Sequence, residues 1–78
     1  MGITLDKLTV GQSGFVRAFN DQDLSLKLLE MGCVPGEKIT VKRIAPFGGT
    51  IAIKVLGYVL GLRKEEAAGI IISPEQVN

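Results

Sequence analysis

Cys33 is the only strong nucleophile in the chain, and the 78 residues include no histidine to activate it. A thiol attacks as the thiolate, which a neighbouring base or a helix N-terminus normally favours. Cys33 instead follows a helical stretch, at the end where the helix dipole disfavours negative charge, so a structural, partly buried cysteine is expected. Asn20, Asp21 and Asp23 are the only clustered oxygen ligands. Capping the helix that follows accounts for them, whereas a transition-metal site wants two to four His, Cys or carboxylate ligands at recognisable spacing. Gly11-Gln12-Ser13-Gly14 lacks the Gly-Lys-Ser or Gly-Lys-Thr ending of a phosphate loop and leads into a strand rather than a helix. Lys38, Lys42 and Lys54 share an outward sheet face. Nine Lys plus Arg against eight Asp plus Glu leave only +1, and few aromatics accompany them, so a solvated face is expected rather than a nucleic-acid platform. No catalytic, cofactor or metal site is expected.

The elements that position these residues turn on one corner, Leu28 to Val41. Before Gly32 the apolar residues Leu24, Leu28 and Met31 fall at helical spacing; after Gly36, Ile39 and Val41 alternate with Lys38, Thr40 and Lys42. Gly32 can close a helix in the left-handed conformation, Pro35 cannot continue one, and Gly36 supplies a second unrestricted position. The spacing predicts a helix from Gln22 to Met31, capped by Asn20 or Asp21, with Leu26 pointing away from the inward stripe and Leu29 at its edge.

Around the corner, Gly14 to Phe19 reads as a strand of ambiguous facing, preceded by a turn-like Thr4 to Leu8 whose leucines plug the core. Lys38 to Ile44 and Ile51 to Leu56 form two more strands joined by the breaker-rich loop Ala45 to Thr50, and Gly57 turns the chain into Tyr58 to Leu62. Arg63 to Ala68 predicts a single helical turn before the closing strand Ile70 to Ile72 and a polar tail over 75–78. The chain, 1–78, is too small for two sheets. About five strands, one helix after the first of them and a short helical turn before the last are most economically a small, mostly β barrel. Composition at 46% hydrophobic and 22% charged is that of a folded domain. No apolar run approaches the ~18 residues of a membrane span, and a cytoplasmic protein without membrane insertion is expected.

The apolar residues without assured burial are Leu26 on the outer helix, Phe47 at the tip of the Pro46 to Gly49 loop, and Tyr58. Such residues clustered on a small domain mark a partner surface. The chain also resembles the FeoA family. The resemblance is carried by Leu5-x-x-Leu8-x-x-Gly11-x-x-Gly14-x-Val16, Leu28-Leu29-Glu30-Met31-Gly32, Pro35-Gly36, Ala45-Pro46-Phe47-Gly48 and Tyr58-x-Leu60-x-Leu62-Arg63, with Cys33 at a site expected to vary. It implies an SH3-like barrel and a non-enzymatic cytoplasmic accessory of bacterial ferrous iron transport, acting on the FeoB membrane transporter. The same fold, the resemblance implies, ends iron-dependent repressors related to the diphtheria toxin repressor, where it contributes transition-metal ligands. Here no helix-turn-helix precedes it and histidine is absent, so neither DNA binding nor direct iron binding is expected. The expected partner-binding set is Leu26, Lys27, Pro46, Phe47, Gly48 and Tyr58, with a weak homodimer left open. The alternative is a nucleic-acid-binding module of the KOW type, prompted by Gly14-x-Val16-Arg17 and the lysine face; an iron carrier is a third reading.

Overall fold

The computed structural model describes residues 2–75; of the tail expected over 75–78, residues 76–78 lie outside them. Two alternating stretches centre the sheet. Lys38–Ile44 (β3) buries Ile39 and Val41, and Thr50–Val55 (β4) buries Ile51, Ile53 and Val55. The period-2 pattern seats their β-branched side chains on one face. Ser13–Phe19 (β2) pairs with β3, and Tyr58–Arg63 (β5) pairs with β4 through the two-residue turn Leu56-Gly57. Within β2, Val16 is buried and Phe15 is exposed, which settles the facing. Ile70–Pro74 (β6) lies on the other side of β2, and Ile3–Thr4 (β1) pairs with β6, so the antiparallel order is β1-β6-β2-β3-β4-β5. There are thus six strands rather than about five, and the helix follows the second. β1 escaped the sequence because two residues carry no periodicity; its partner Ile72 is distant in the chain.

Register shifts at Val16/Ala18 in β2 and Val41/Arg43 in β3 mark bulges, which bend strands and increase their twist. The sheet curls around one core that joins Leu5 and Leu8 from the N-terminal turn, Leu62 from β5 and Ile70 and Ile72 from β6. The four-residue helix Lys64–Ala67 (α2) touches β4, β5 and the Leu5–Lys7 turn and buries Ala67 in the core.

The long helix, α1, is Gln22–Glu30, ending one residue before the expected Met31, which is its C-cap. Asp21 is the N-cap: the Asp23 N–H donates to its Oδ1 at 2.9 Å. At the other end the Cys33 N–H donates to Leu28 O at 2.9 Å and the Gly32 N–H to Leu29 O at 3.1 Å. These crossed bonds form a Schellman motif, which requires its C′ residue in the left-handed region and favours an apolar pair between its flanking positions. Gly32 supplies φ +86°, and Leu28 and Cys33 are the apolar pair, both fully buried. Past the corner, Gly36 (φ +95°) donates its N–H to Val16 O at 2.8 Å, and Val16 donates to Glu37 O at 2.9 Å. The corner therefore locks α1 to β2.

Candidate partner-binding face

With Leu28 buried and Leu24 and Met31 half-buried against the core, helical geometry puts Leu26 on the far side of α1 and Lys27 on its flank. Leu26 is 63% exposed, and Leu29, one turn on, is exposed as well. The flank carrying Lys27 faces α2, where its Nζ lies 2.5 Å from Glu66 Oε2. Glu66 also accepts the Arg63 N–H through Oε1 at 2.9 Å. The hydrogen bond from Lys27, then that from Arg63, hold the Glu66 carboxyl below the usual carboxylate range. Glu66 is thus the knot between two helices and the end of β5.

The loop after β3 joins this knot. Pro46–Gly48 forms a single tight turn, closed by the Gly48 N–H on Ala45 O at 2.9 Å, and the Lys64 N–H of α2 reaches Gly49 O at 3.3 Å. A shallow groove of about 730 Å³ results, bounded by Lys27, Gly49, Thr50, Arg63, Glu65 and Glu66. A second depression of about 330 Å³ continues from Lys27, Glu65 and Glu66 toward Leu24, Asp21 and Asp23. Beside this groove stands Phe47, fully exposed and with φ +71°, ψ +5°. A bulky residue in the left-handed region is uncommon, and its ring gains nothing from the protein interior in return.

Lys27 and the Pro46, Phe47 and Gly48 turn are therefore brought to the same end of the sheet, with Leu26 on the outer face of the same helix. Tyr58 is not with them. It pairs with Val55 at the opposite end of the β4–β5 hairpin from Thr50 and Arg63, about 16 Å away at ~3.3 Å per residue. There it stands 41% exposed beside Leu56, close to Gly32 at the end of α1. Glu66, Arg63 and Glu65 line the groove but were absent from the expected set. The run Arg-Lys-Glu-Glu signals a helical turn; nothing local signals that its glutamate meets a lysine 39 positions earlier.

The remaining candidates resolve simply. Burial, with Glu37 nearby as a lesser cause, pushes the Cys33 thiol up, so it stays protonated at neutral pH and plays the apolar part described above. Among the described residues no group of three or more His, Cys, Asp or Glu is placed to hold a metal ion, and Asp21 spends an oxygen on the helix cap. Lys38, Lys42 and Lys54 are exposed on the sheet, with Lys38 paired to Glu75 at 2.9 Å. No helix among the described residues is long and apolar enough to cross a membrane.

Comparison with known proteins gives this geometry a family. No curated protein matches the chain. Among solved structures, a FeoA-like protein from Clostridium acetobutylicum is 31% identical with a TM-score of 0.90, over 99% of this chain and 91% of that one. The iron(II) transport protein A from Clostridium thermocellum is 33% identical with a TM-score of 0.85, over 92% of this chain and 45% of that one. A FeoA from Stenotrophomonas maltophilia, complexed with zinc and described as an SH3 domain protein, is 27% identical with a TM-score of 0.80, over 95% and 96%. The architecture is accordingly SH3-like. The FeoA domain model matches residues 3–74, which spans almost the whole sequence, and the chain belongs to the FeoA family.

Proposed function

We propose that this chain is a non-enzymatic, cytoplasmic accessory of bacterial ferrous iron uptake that docks the cytoplasmic region of the FeoB transporter through Leu26, Lys27 and the Pro46 to Gly48 turn. The observation that carries the reading is Phe47, an aromatic held fully exposed on a strained backbone beside a groove. Strain kept without a packing return is characteristic of binding sites, and exposed aromatics are the usual anchors of protein interfaces. Leu26 and Leu29 add exposed apolar area on the outer side of α1, and the Lys27, Arg63, Glu65 and Glu66 charges line the groove as a polar rim. The zinc-bound Stenotrophomonas relative is described as a candidate ferrous iron transport activating factor, which fits an accessory role. A docked domain shifts a transporter's conformational equilibrium by as much as it prefers one state over the other, so activation needs no chemistry in the chain itself. Tyr58 is a separate contact point at the far end of α1 within the same proposal.

Titration of the FeoB cytoplasmic region with wild-type chain and with Leu26→Ala and Phe47→Ala tests the surface. The two truncations are expected to weaken association at least tenfold, about 1.4 kcal/mol, while both variants melt as the wild type does. Unchanged association in both variants would remove this surface.

A further inference from the structure

β5 is an outer strand of the sheet, and its free edge has a defined set of open groups. Leu56 and Gly57, both at positive φ (52° and 84°), make the two-residue turn from β4. Such a turn places a hydrogen-bonded pair, here Val55 and Tyr58, directly beside it. Alternation then directs the backbone groups of Tyr58, Leu60 and Leu62 toward β4, and those of Val59, Gly61 and Arg63 outward. The Arg63 N–H fits this parity, since it is free to donate to Glu66. Among the described residues, the N–H and C=O of Val59 and Gly61 have no partner, and both residues are exposed. Edge strands are normally guarded by lysine, proline or a bulge. β5 reads Tyr-Val-Leu-Gly-Leu-Arg, pairs with β4 without a register shift, and carries its one charge at the last position.

We propose that this edge pairs antiparallel with β5 of a second copy of the chain, about a two-fold axis at Leu60. The axis follows from the open groups. Centred on Leu60, Val59 of each copy faces Gly61 of the other, and each such pair exchanges two hydrogen bonds. Centred on Gly61, Val59 would face Arg63, whose N–H is already held by Glu66. Centred on Val59, Gly61 would face Gly57 inside the turn. The side chains agree with the Leu60 axis. Val59, 62% exposed on the outer face, stands beside a glycine around which only Thr50 Cγ2 approaches, 3.9 Å from where a Cβ would lie. A formal charge of +1 puts little repulsion between copies. The contact is short, in the class below ~1,200 Å² that forms weak complexes, so association is expected at ~0.1–1 mM.

The test is sedimentation equilibrium with amide exchange on the full chain from micromolar to millimolar concentration, for wild type and Val59→Glu. Position 59 lies opposite Lys54 across the hairpin, so the glutamate gains a cross-strand partner and the fold is kept, while a carboxylate enters the seam between copies. Wild type is expected to dimerise, with the Val59 and Gly61 amides gaining protection as concentration rises, and Val59→Glu to remain monomeric with an unchanged melting temperature. If that variant melts lower, Gly61→Pro removes only an outward N–H and is expected to abolish the dimer in its place. A wild type that stays monomeric at millimolar concentration, a dimer that survives both variants, or a dimer lost instead in Phe47→Ala would each overturn the proposal.

Discussion

The corner from Gly32 to Gly36 and the loop from Pro46 to Gly49 reverse the chain in similar ways but meet the steric demand differently. In the corner the left-handed positions are both glycines, Gly32 and Gly36, and every bond they make serves the fold, tying α1 to β2. In the loop one left-handed position is Phe47, with Gly48 after it. A glycine at positive φ is what stability alone would select. A phenylalanine there, with its ring wholly in solvent, is what stability would remove. The difference separates a structural pivot, with the thiol inside it, from the loop proposed as the docking surface, with the ring outside it.

The largest effects should fall in the corner. Gly32→Val meets both a φ of +86° and a Cβ only 2.7 Å from Leu56 Cδ1, whereas Gly36→Val meets a φ of +95° with nothing within 4 Å. Thermal denaturation should show both destabilised by about 1–3 kcal/mol from backbone strain, because the Leu56 Cδ1 that a Cβ at position 32 meets is the end of an exposed side chain that can move aside. Equal stability of Gly36→Val and wild type would mean the corner is no pivot. In the loop the sign reverses: Phe47→Gly should be as stable as wild type or more so, by up to ~1 kcal/mol, yet lose association with the FeoB region. A clear drop in its melting temperature would show that Phe47 is structural and collapse the comparison.

The smallest effect concerns the knot beneath the loop. Glu66 has a lowered carboxyl pKa in the folded chain, so its contribution to stability is complete above the ordinary carboxylate value of about 4.3 and is lost as pH falls through the lower folded value. Lys27 is mostly exposed, and an ion pair of this kind contributes at most ~1 kcal/mol. Denaturation across the acid range should therefore show a shallow loss in wild type that Lys27→Met reduces. An identical acid profile for the two would remove the Lys27–Glu66 pair from the account.

What the sequence makes legible here is what neighbouring residues decide. The α1 stripe, the Asp21 cap, the Gly32 stop and the alternation of β3 and β4 all rest on spacings of a few residues, and the structure agrees with them. Leu5 and Leu8, expected to plug the core, are buried. The groove depends on long-range contact instead: Lys27 with Glu66, and Gly49 with Lys64. No periodicity encodes these pairings, so nothing in the sequence points to Glu66 and Arg63 or separates Tyr58 from the loop at the other end of its hairpin. Phe47 illustrates the boundary. Its place in a breaker-rich loop is readable, but the left-handed backbone that gives its exposure meaning is not, because Pro46 and Gly48 permit several turns.

The most direct measurement is an amide-shift map of the labelled chain during titration with the cytoplasmic region of FeoB. Shifts concentrated at Leu26, Lys27 and residues 47–49, spreading to Arg63 and Glu66 through the groove and sparing the lysine face at Lys38, Lys42 and Lys54, are the predicted result. Shifts confined to the lysine face, or a saturating complex that leaves the Phe47 loop unmoved, would contradict it.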